Sequence, residues 1–373
     1  MTVRSARQPG LCRLLEGKPA AEAVGLVPLL FSVCGRAQAV AAAEAAEAAS
    51  GRAGRAGVRR LRELMVAAEC AHEHLWRLIL DLPALLGEPV DQQGFIGMRR
   101  RFEDVRRRAV AHAPWWEEQG DLRDLTAWRV LAWDLAGFLR KEVLVMEPER
   151  FAALAGLAQL QAWLDAGEGL GARLLARVWD LDLGRSSVPL LAWLEARELV
   201  DGMAPAMDTS ADYAAAPTCR DAPAETGALA RLKDEALIAT ALAGRGNTVG
   251  VRLLARLVEL ARLAGRLQEL SHGEAARPWL QAAALGEGGG ISAVETARGV
   301  LMHRVELKGG RVARYRIVAP TEWNFHPAGA YVQGLAGHGA GSEEEVLRAA
   351  ALLAHALDPC VAHEVKVDSP THA

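Results

Sequence analysis

The sequence predicts a mainly α-helical fold of the α+β class, with one small antiparallel β-hairpin near the C-terminus. Apolar residues recur at helical spacing through most of the chain, and the composition is half hydrophobic with only 3 Tyr and 6 Phe. Residues 300–307 and 311–318 differ, because apolar and polar residues alternate there with the period of a β-strand. Gly309-Gly310 between them is typical of a tight hairpin turn.

The helices are predicted from their periodicity and from the residues that start and stop them. The clearest are expected over 37–49, 58–82, 121–144, 225–243, 247–270 and 343–357. Ser342 and Glu345 form a capping box at the start of the last helix. Residues 1–30 and 201–224, which glycine and proline interrupt, are expected to be irregular. Because the helices on both sides of 201–224 are alike in character, we expect a single domain over 1–373.

Charge and composition exclude several classes of protein. The 43 basic and 46 acidic residues leave a net charge of −3, which argues against a general nucleic-acid binder. No uncharged apolar stretch approaches the length of a membrane span, and no secretory signal is recognisable. The five cysteines are odd in number and scattered, which is not a disulfide framework. We therefore expect a cytoplasmic protein.

Two cysteines are candidate metal ligands. Cys360 follows the end of the last helix and stands at C-x-x-H spacing from His363, so the two side chains can share a metal ion. Alternatively, Cys360 is a buried thiol and His363 only interacts with the helix C-terminus. Cys34 precedes the helix at 37–49, where the helix dipole favours a thiolate primed for metal. The remaining cysteines are expected to be small buried apolar residues: Cys12, Cys70 and Cys219.

Four segments resemble, in order and spacing, the signatures of nickel–iron hydrogenase large subunits. Glu225–Arg231 is similar to V-G-P-L-A-R, Glu295–His303 to E-A-P-R-G-x-L-x-H, Ala319–Asn324 to V-P-T-T-W-N, and Asp358-Pro359-Cys360 to D-P-C-x-x-C. The resemblance is best over 225–366 and weaker over 11–82. It implies the helical body of a hydrogenase large subunit.

The N-terminal signature of that family, R-x-C-G-x-C-x-x-x-H after Val-Pro, is matched less well. Alignment on Val27-Pro28 places Phe31 at the first cysteine, Cys34 at the second and Gln38 at the histidine. Alignment of Cys34-Gly35 on the family's C-G would make Cys34 the first cysteine instead. We prefer the first register, because it keeps a hydrogen-bonding side chain at position 38.

The departures from the family are informative. The resemblance implies a nickel held by four thiolates, two of which bridge to an iron that carries two cyanides and one carbon monoxide. This chain retains Cys34 and Cys360, whereas Phe31 and His363 stand at the other two positions. Without two soft thiolates we expect no nickel and no hydrogen turnover. His363 remains a candidate third metal ligand.

The iron side of the family's pocket is retained. The resemblance implies that Arg298 and the Pro320-Thr321 pair surround the cyanides, for which charge-assisted donors are suited. It places Leu301 near the carbon monoxide. Gln38 is expected either to hydrogen-bond a metal ligand or to bind a backbone carbonyl.

This combination resembles the hydrogenase assembly accessory proteins of the HupK/HoxV type. The resemblance implies a non-catalytic scaffold that transiently receives the Fe(CN)2(CO) unit from small maturation chaperones and passes it to the apo hydrogenase large subunit. A metal-free pseudo-subunit that docks on a hydrogenase is the alternative. A redox enzyme with a Cys/Cys/His metal site is a third hypothesis.

Overall fold

The computed structural model describes residues 9–109, 116, 125–210, 212–274, 277–336, 342–361 and 364–366. Within these ranges the chain forms seventeen α-helices and one four-stranded sheet, which confirms the mainly α class. The helices are α1 Ala20–Leu30, α2 Gly35–Ala49, α3 Ala56–Trp76, α4 Leu82–Leu86, α5 Gln92–Ala109, α6 Leu125–Phe138, α7 Pro148–Ala152, α8 Leu157–Ala166, α9 Leu170–Val178, α10 Ala196–Glu198, α11 Ala204–Thr209, α12 Ala228–Leu232, α13 Ala236–Arg245, α14 Val249–His272, α15 Pro320–Asn324, α16 Ala330–Ala336 and α17 Glu343–Leu357. The strands are β1 Leu280–Ala284, β2 Gly289–Thr296, β3 Gly299–Lys308 and β4 Arg311–Val318.

The predicted hairpin is present as β3 and β4, but it is half of a larger sheet. All neighbouring strands are antiparallel in the order β1-β2-β3-β4. Gly309 and Gly310, with φ of +56° and +75°, form the predicted tight turn. The strand β2 was missed because it is buried at every position, so it lacks the alternation that marks a half-exposed strand.

The helix α14 lies at the centre of the helical body, and α3, α6, α7, α9, α12 and α17 pack around it. The Ala-rich helix α2 lies against β1, β2 and β3 instead. Small residues permit this approach: a Cβ on Gly290 would lie 2.1 Å from the carbonyl oxygen of Ala45. The hydroxyl of Ser292 donates to the carbonyl of Ala41 at 2.7 Å. This contact joins the middle of α2, the helix that follows Cys34, to the sheet.

Two segments expected to be irregular are partly helical. Residues 1–30 contain a 3-10 turn, Pro9–Leu15, and helix α1, whose apolar face packs on α2. Residues 201–224 begin with a π-helical turn, Leu199–Met203, that continues into α11. The helix α11 was not predicted because it contains a proline. This proline lies in the first turn of the helix, where its missing N–H is not needed.

The helix expected over 58–82 continues past Pro83. A π-helical turn, Arg77–Asp81, joins α3 to α4, which ends at Gly87 with φ of +71°. No single helix in the described ranges passes a test for a membrane span by length and composition. The pair Ala20–Leu30 and Ser32–Ala49, bent by 101°, passes only when taken together.

Candidate iron-binding site

Arg298 occupies the tip of the β2–β3 hairpin, where Thr296 pairs with Gly299. The turn is tight because Gly299 has φ of +123°, and the hydroxyl of Thr296 accepts from the Arg298 N–H and donates to the Gly299 carbonyl. The Arg298 side chain is 4% exposed, and its Nη2 donates to Glu73 at 2.7 Å. Nearby carboxylates and thiols hold the pKa of Arg298 above its ordinary value despite burial. The guanidinium therefore stays charged inside the protein.

The start of α15 contacts the C-terminal cysteine directly. The Thr321 Oγ1 accepts the backbone N–H of Cys360 at 3.2 Å and lies 3.0 Å from the Cys360 Sγ. Because that oxygen accepts from the N–H, its own hydrogen is available to the sulfur. Pro320 is buried at the first position of the same helix. The threonine assigned to the cyanides by resemblance thus binds the Cys360 sulfur in this structure.

Cys34 caps the N-terminus of α2, as predicted, but it is not a primed thiolate. Burial raises its pKa to about 12, and the charges of Cys360 and Glu69 add to that effect. Arg298 and the hydrogen bond from Gln38 lower the pKa but do not compensate. The prediction of a primed thiolate is therefore wrong, because burial disfavours the charged form of the thiol more strongly than the nearby donors favour it. Binding of a metal ion would have to displace the thiol proton.

Gln38 contacts Cys34, which is a candidate metal ligand. Its Nε2 donates to the Cys34 Sγ at 3.6 Å, and its Oε1 lies 2.9 Å from the Nε2 of His303. His303 is fully buried, as expected for a core histidine. Leu301 is also fully buried and lies on the same face of β3, two residues away.

Asp358 terminates α17 in the left-handed conformation, with φ of +57°, and is 1% exposed. Three arginines surround its carboxylate: Arg77 at 2.6 Å, Arg298 at 3.3 Å and Arg256 at 3.8 Å. Their charges hold the pKa of Asp358 at about 2, against the effect of burial. Arg256 also donates to the last carbonyls of α17, and Arg77 to that of Pro359. This cluster fixes the turn that carries Cys360.

Asn324 joins three of the four signature segments. Its Oδ1 accepts the Thr226 N–H at 2.9 Å, and its Nδ2 donates to the carbonyls of Arg298 and Leu357, both at 3.3 Å. The Thr226 hydroxyl in turn accepts the N–H of Val300. The resemblance therefore has a physical basis in the packing of these segments on one another.

The structure brings together the residues that the sequence separates. Cys34 and Cys360 interact electrostatically with each other and with Arg298. They are not disulfide-bonded, and Cys360 is partly exposed. Phe31 lies between α1 and the turn that precedes Cys34, where it packs against the core. His363 lies outside the described residues, so its role as a ligand stays a prediction.

Sequence reasoning missed the charged residues that α3 contributes. Glu69 and Glu73 lie on α3 and Arg77 directly follows its end, at spacings of four residues that favour one face. Glu69 accepts the N–H groups of Arg36 and Ala37 at the start of α2. The i, i+4 spacing was a usable signal, but the segment carries no recognised family motif.

A second buried cluster lies on the neighbouring face of α3. Cys70, His74 and Glu259 offer ligand atoms within 4.8 Å of one another, an arrangement that suits a metal ion. His74 Nε2 lies 2.7 Å from Glu259, whose two oxygens also accept from Arg231 at 2.5 and 2.6 Å. These hydrogen bonds already occupy the carboxylate, so we interpret the cluster as a structural network.

This network predicts a loss of stability in acid. Arg231 and His74 hold the pKa of Glu259 at about 2, below its ordinary 4.5, while burial lowers that of His74 below 6.5. Both groups bind protons more readily in the unfolded chain, so the free energy of unfolding should fall as the pH drops below 6.5. The Glu259 part, on the order of 3 kcal/mol, should be lost between pH 4.5 and 2. Urea unfolding of the parent and of Glu259→Gln between pH 7 and 3 would measure it, and parallel pH profiles would contradict the assignment.

Comparison with known proteins places the chain in a family. The family described as nickel-dependent hydrogenase matches residues 243–366. The hydrogenase expression/formation protein HupK of Rhizobium leguminosarum bv. viciae is 31% identical over 378 residues, covering 98% of this chain and 92% of that protein. The chain belongs to the HupK/HoxV family of hydrogenase expression/formation proteins. HoxV of Cupriavidus necator is also 31% identical, over 389 residues that cover 98% and 94% of the two chains.

The HupK/HoxV family is related to hydrogenase large subunits, as the sequence motifs predicted. The large chain of Escherichia coli hydrogenase-2 is 33% identical over 90 residues, which is 22% of this chain. The nickel–iron–selenium hydrogenase of Desulfovibrio vulgaris Hildenborough has the same fold, with a TM-score of 0.66 at 16% identity over 96% of this chain and 92% of that one. The predicted large-subunit fold is therefore confirmed.

Proposed function

We propose that this HupK/HoxV protein is a non-catalytic scaffold of nickel–iron hydrogenase maturation, which transiently holds the Fe(CN)2(CO) unit. The observation that carries the proposal is that Cys34, Cys360 and charged Arg298 lie close enough to interact electrostatically. Thiolates are suitable ligands for a soft iron centre, and a guanidinium is a charge-assisted donor for cyanide nitrogen. The relatives that cover nearly the whole chain are named for hydrogenase expression and formation.

The candidate ligands suit an iron unit that is bound only transiently. Two thiolates, with His363 as a candidate third ligand, should hold iron less firmly than the four cysteines of a hydrogenase large subunit. Iron would then pass from small maturation chaperones to this chain and on to the apo large subunit, in the cytoplasm. Phe31 contributes no ligand where the family has a thiolate, so nickel is not expected.

The proposal predicts an infrared signature. The protein, produced with the maturation machinery and purified without oxygen, should show cyanide and carbonyl bands and contain iron without nickel. Cys34→Ala or Cys360→Ala should lower the retained iron by more than about ten-fold, since even residues behind the ligands affect metal affinity that much. Cys219→Ala, a partly exposed cysteine outside this site, is the matched control and should retain the bands.

The alternative, a metal-free pseudo-subunit, predicts the opposite results. Bands would be absent although the machinery is active, and both cysteine variants would support hydrogenase maturation as well as the parent does. That pair of results would overturn the proposal.

A further inference from the structure

A buried chain of hydrogen bonds leads from the sheet to the Cys34 sulfur. The Tyr315 Oη lies 2.8 Å from Nδ1 of His303, His303 Nε2 lies 2.9 Å from Oε1 of Gln38, and Gln38 Nε2 lies 3.6 Å from the sulfur. Gln38 and His303 are fully buried and Tyr315 is 4% exposed. Because these groups are buried, each polar atom depends on its neighbour in the chain for a hydrogen bond.

The direction of the chain follows from what each atom can do. The carbonyl oxygen of Gln38 only accepts, so the facing Nε2 of His303 must carry a hydrogen. Burial lowers the pKa of His303 to about 3, so the neutral ring carries only that hydrogen. Its Nδ1 therefore accepts, and the Tyr315 hydroxyl donates. With its oxygen toward His303, the Gln38 amide directs its N–H toward Cys34.

The fold explains why the chain is continuous. His303 and Tyr315 lie on adjacent strands, offset diagonally, and their rings meet edge to face with centroids 5.6 Å apart. Gln38 is one helical turn after Cys34 on α2, which packs on the same sheet. Metal-ligand sulfurs are tuned by hydrogen bonds of this kind, which lower their electron donation.

We propose that Tyr315 and His303 are positioning residues that aim the Gln38 N–H at the Cys34 sulfur and so weaken its donation to the iron unit. The effect on iron rests on the proposed function, whereas the hydrogen-bond direction does not. A sulfur that donates less electron density binds iron less tightly and so favours release of the iron unit, which is the property that a transfer site needs.

The direction can be tested without iron. Nitrogen-15 NMR of the metal-free protein at neutral pH should show His303 as the neutral tautomer with hydrogen on Nε2. In Tyr315→Phe the Nδ1 loses its donor, so the signal should move toward a mixture of tautomers. Tyr331→Phe removes another buried hydroxyl, one that donates to the Ala350 carbonyl at 3.3 Å, and should leave the His303 signal unchanged. Hydrogen on Nδ1 in the parent would overturn the proposal.

The effect on iron is tested by infrared spectroscopy of the loaded protein. Gln38→Met keeps the side-chain volume but removes the N–H, so sulfur donation should rise and the carbonyl band should shift to lower wavenumber. Tyr315→Phe should give a smaller shift in the same direction, and Tyr331→Phe none. Unshifted bands in Gln38→Met would refute the electronic role. If the parent carries no iron unit, the proposed function and the electronic role both fail, while the NMR result still decides the hydrogen-bond direction.

Discussion

Replacing Asp358 by asparagine is expected to lower the free energy of unfolding by about 3–5 kcal/mol, because it leaves three arginines near one another without their shared counter-charge. Asp358 is 1% exposed, and Arg77, Arg256 and Arg298 face it within 4 Å. Asparagine has nearly the same shape and tolerates the left-handed backbone conformation that the position requires. The loss of stability would therefore measure the effect of the missing charge rather than of backbone strain.

Asp81→Asn is the matched control for this substitution. Asp81 pairs with the same Arg77, but its side chain is 23% exposed, so solvent screens the interaction. The free energy of unfolding of Asp81→Asn should be lower than that of the parent by less than about 1 kcal/mol. Urea unfolding at neutral pH measures both variants. Equal losses would show that burial of the Asp358 cluster does not matter.

Gly299→Ala is expected to lower the free energy of unfolding by about 2–6 kcal/mol and to displace Arg298. Alanine is strained at φ of +123°, by about 1–3 kcal/mol, and its Cβ would lie 2.3 Å from the Cγ2 of Thr226. Overpacking of this kind adds about 1–3 kcal/mol. The neighbouring guanidinium should then lose its contacts with Glu73 and Asp358, so the loaded protein should retain less iron.

Gly286→Ala separates these two causes. Gly286 has φ of +76° in the turn between β1 and β2, and nothing lies within 4 Å of a Cβ built there. This variant should show only the conformational cost, about 1 kcal/mol. Thermal unfolding and metal analysis of both variants test the difference. Similar melting temperatures and iron contents would contradict the close packing of the β2–β3 turn on Thr226.

Local signals predicted the elements that depend on local interactions. The Ser342 capping box, the Gly309-Gly310 turn and the hairpin strands were found, because caps, turn glycines and alternation act within a few residues. The strand β2 and the helices around Pro28 and Pro205 were not found. Their stability comes from packing on distant elements, which periodicity within a window does not report.

For the site, too, the sequence predicted residue identities better than the environment of each residue. The motifs pointed to Arg298, Thr321 and Cys360. The assignment of the Thr321 hydroxyl to a cyanide stays a prediction, and in the structure this hydroxyl contacts the Cys360 sulfur. The position of Cys34 before a helix predicted a primed thiolate, whereas burial raises the pKa of this thiol. That error concerns environment, since the charge state of a group depends on what surrounds it.

The family and the helical class follow from residue identity and order alone, which also predict the loss of two of the four thiolate positions. The tertiary structure was needed to show that Cys34 and Cys360 interact electrostatically with each other and with Arg298, although 325 positions separate the cysteines along the chain. It was also needed to show that Asp358 binds three arginines and that His303 lies within hydrogen-bond distance of Gln38. Those contacts join residues from α2, the π-helical turn after α3, α14, the sheet and the C-terminal turn. Their energy comes from burial and charge pairing between distant segments, which no local pattern encodes.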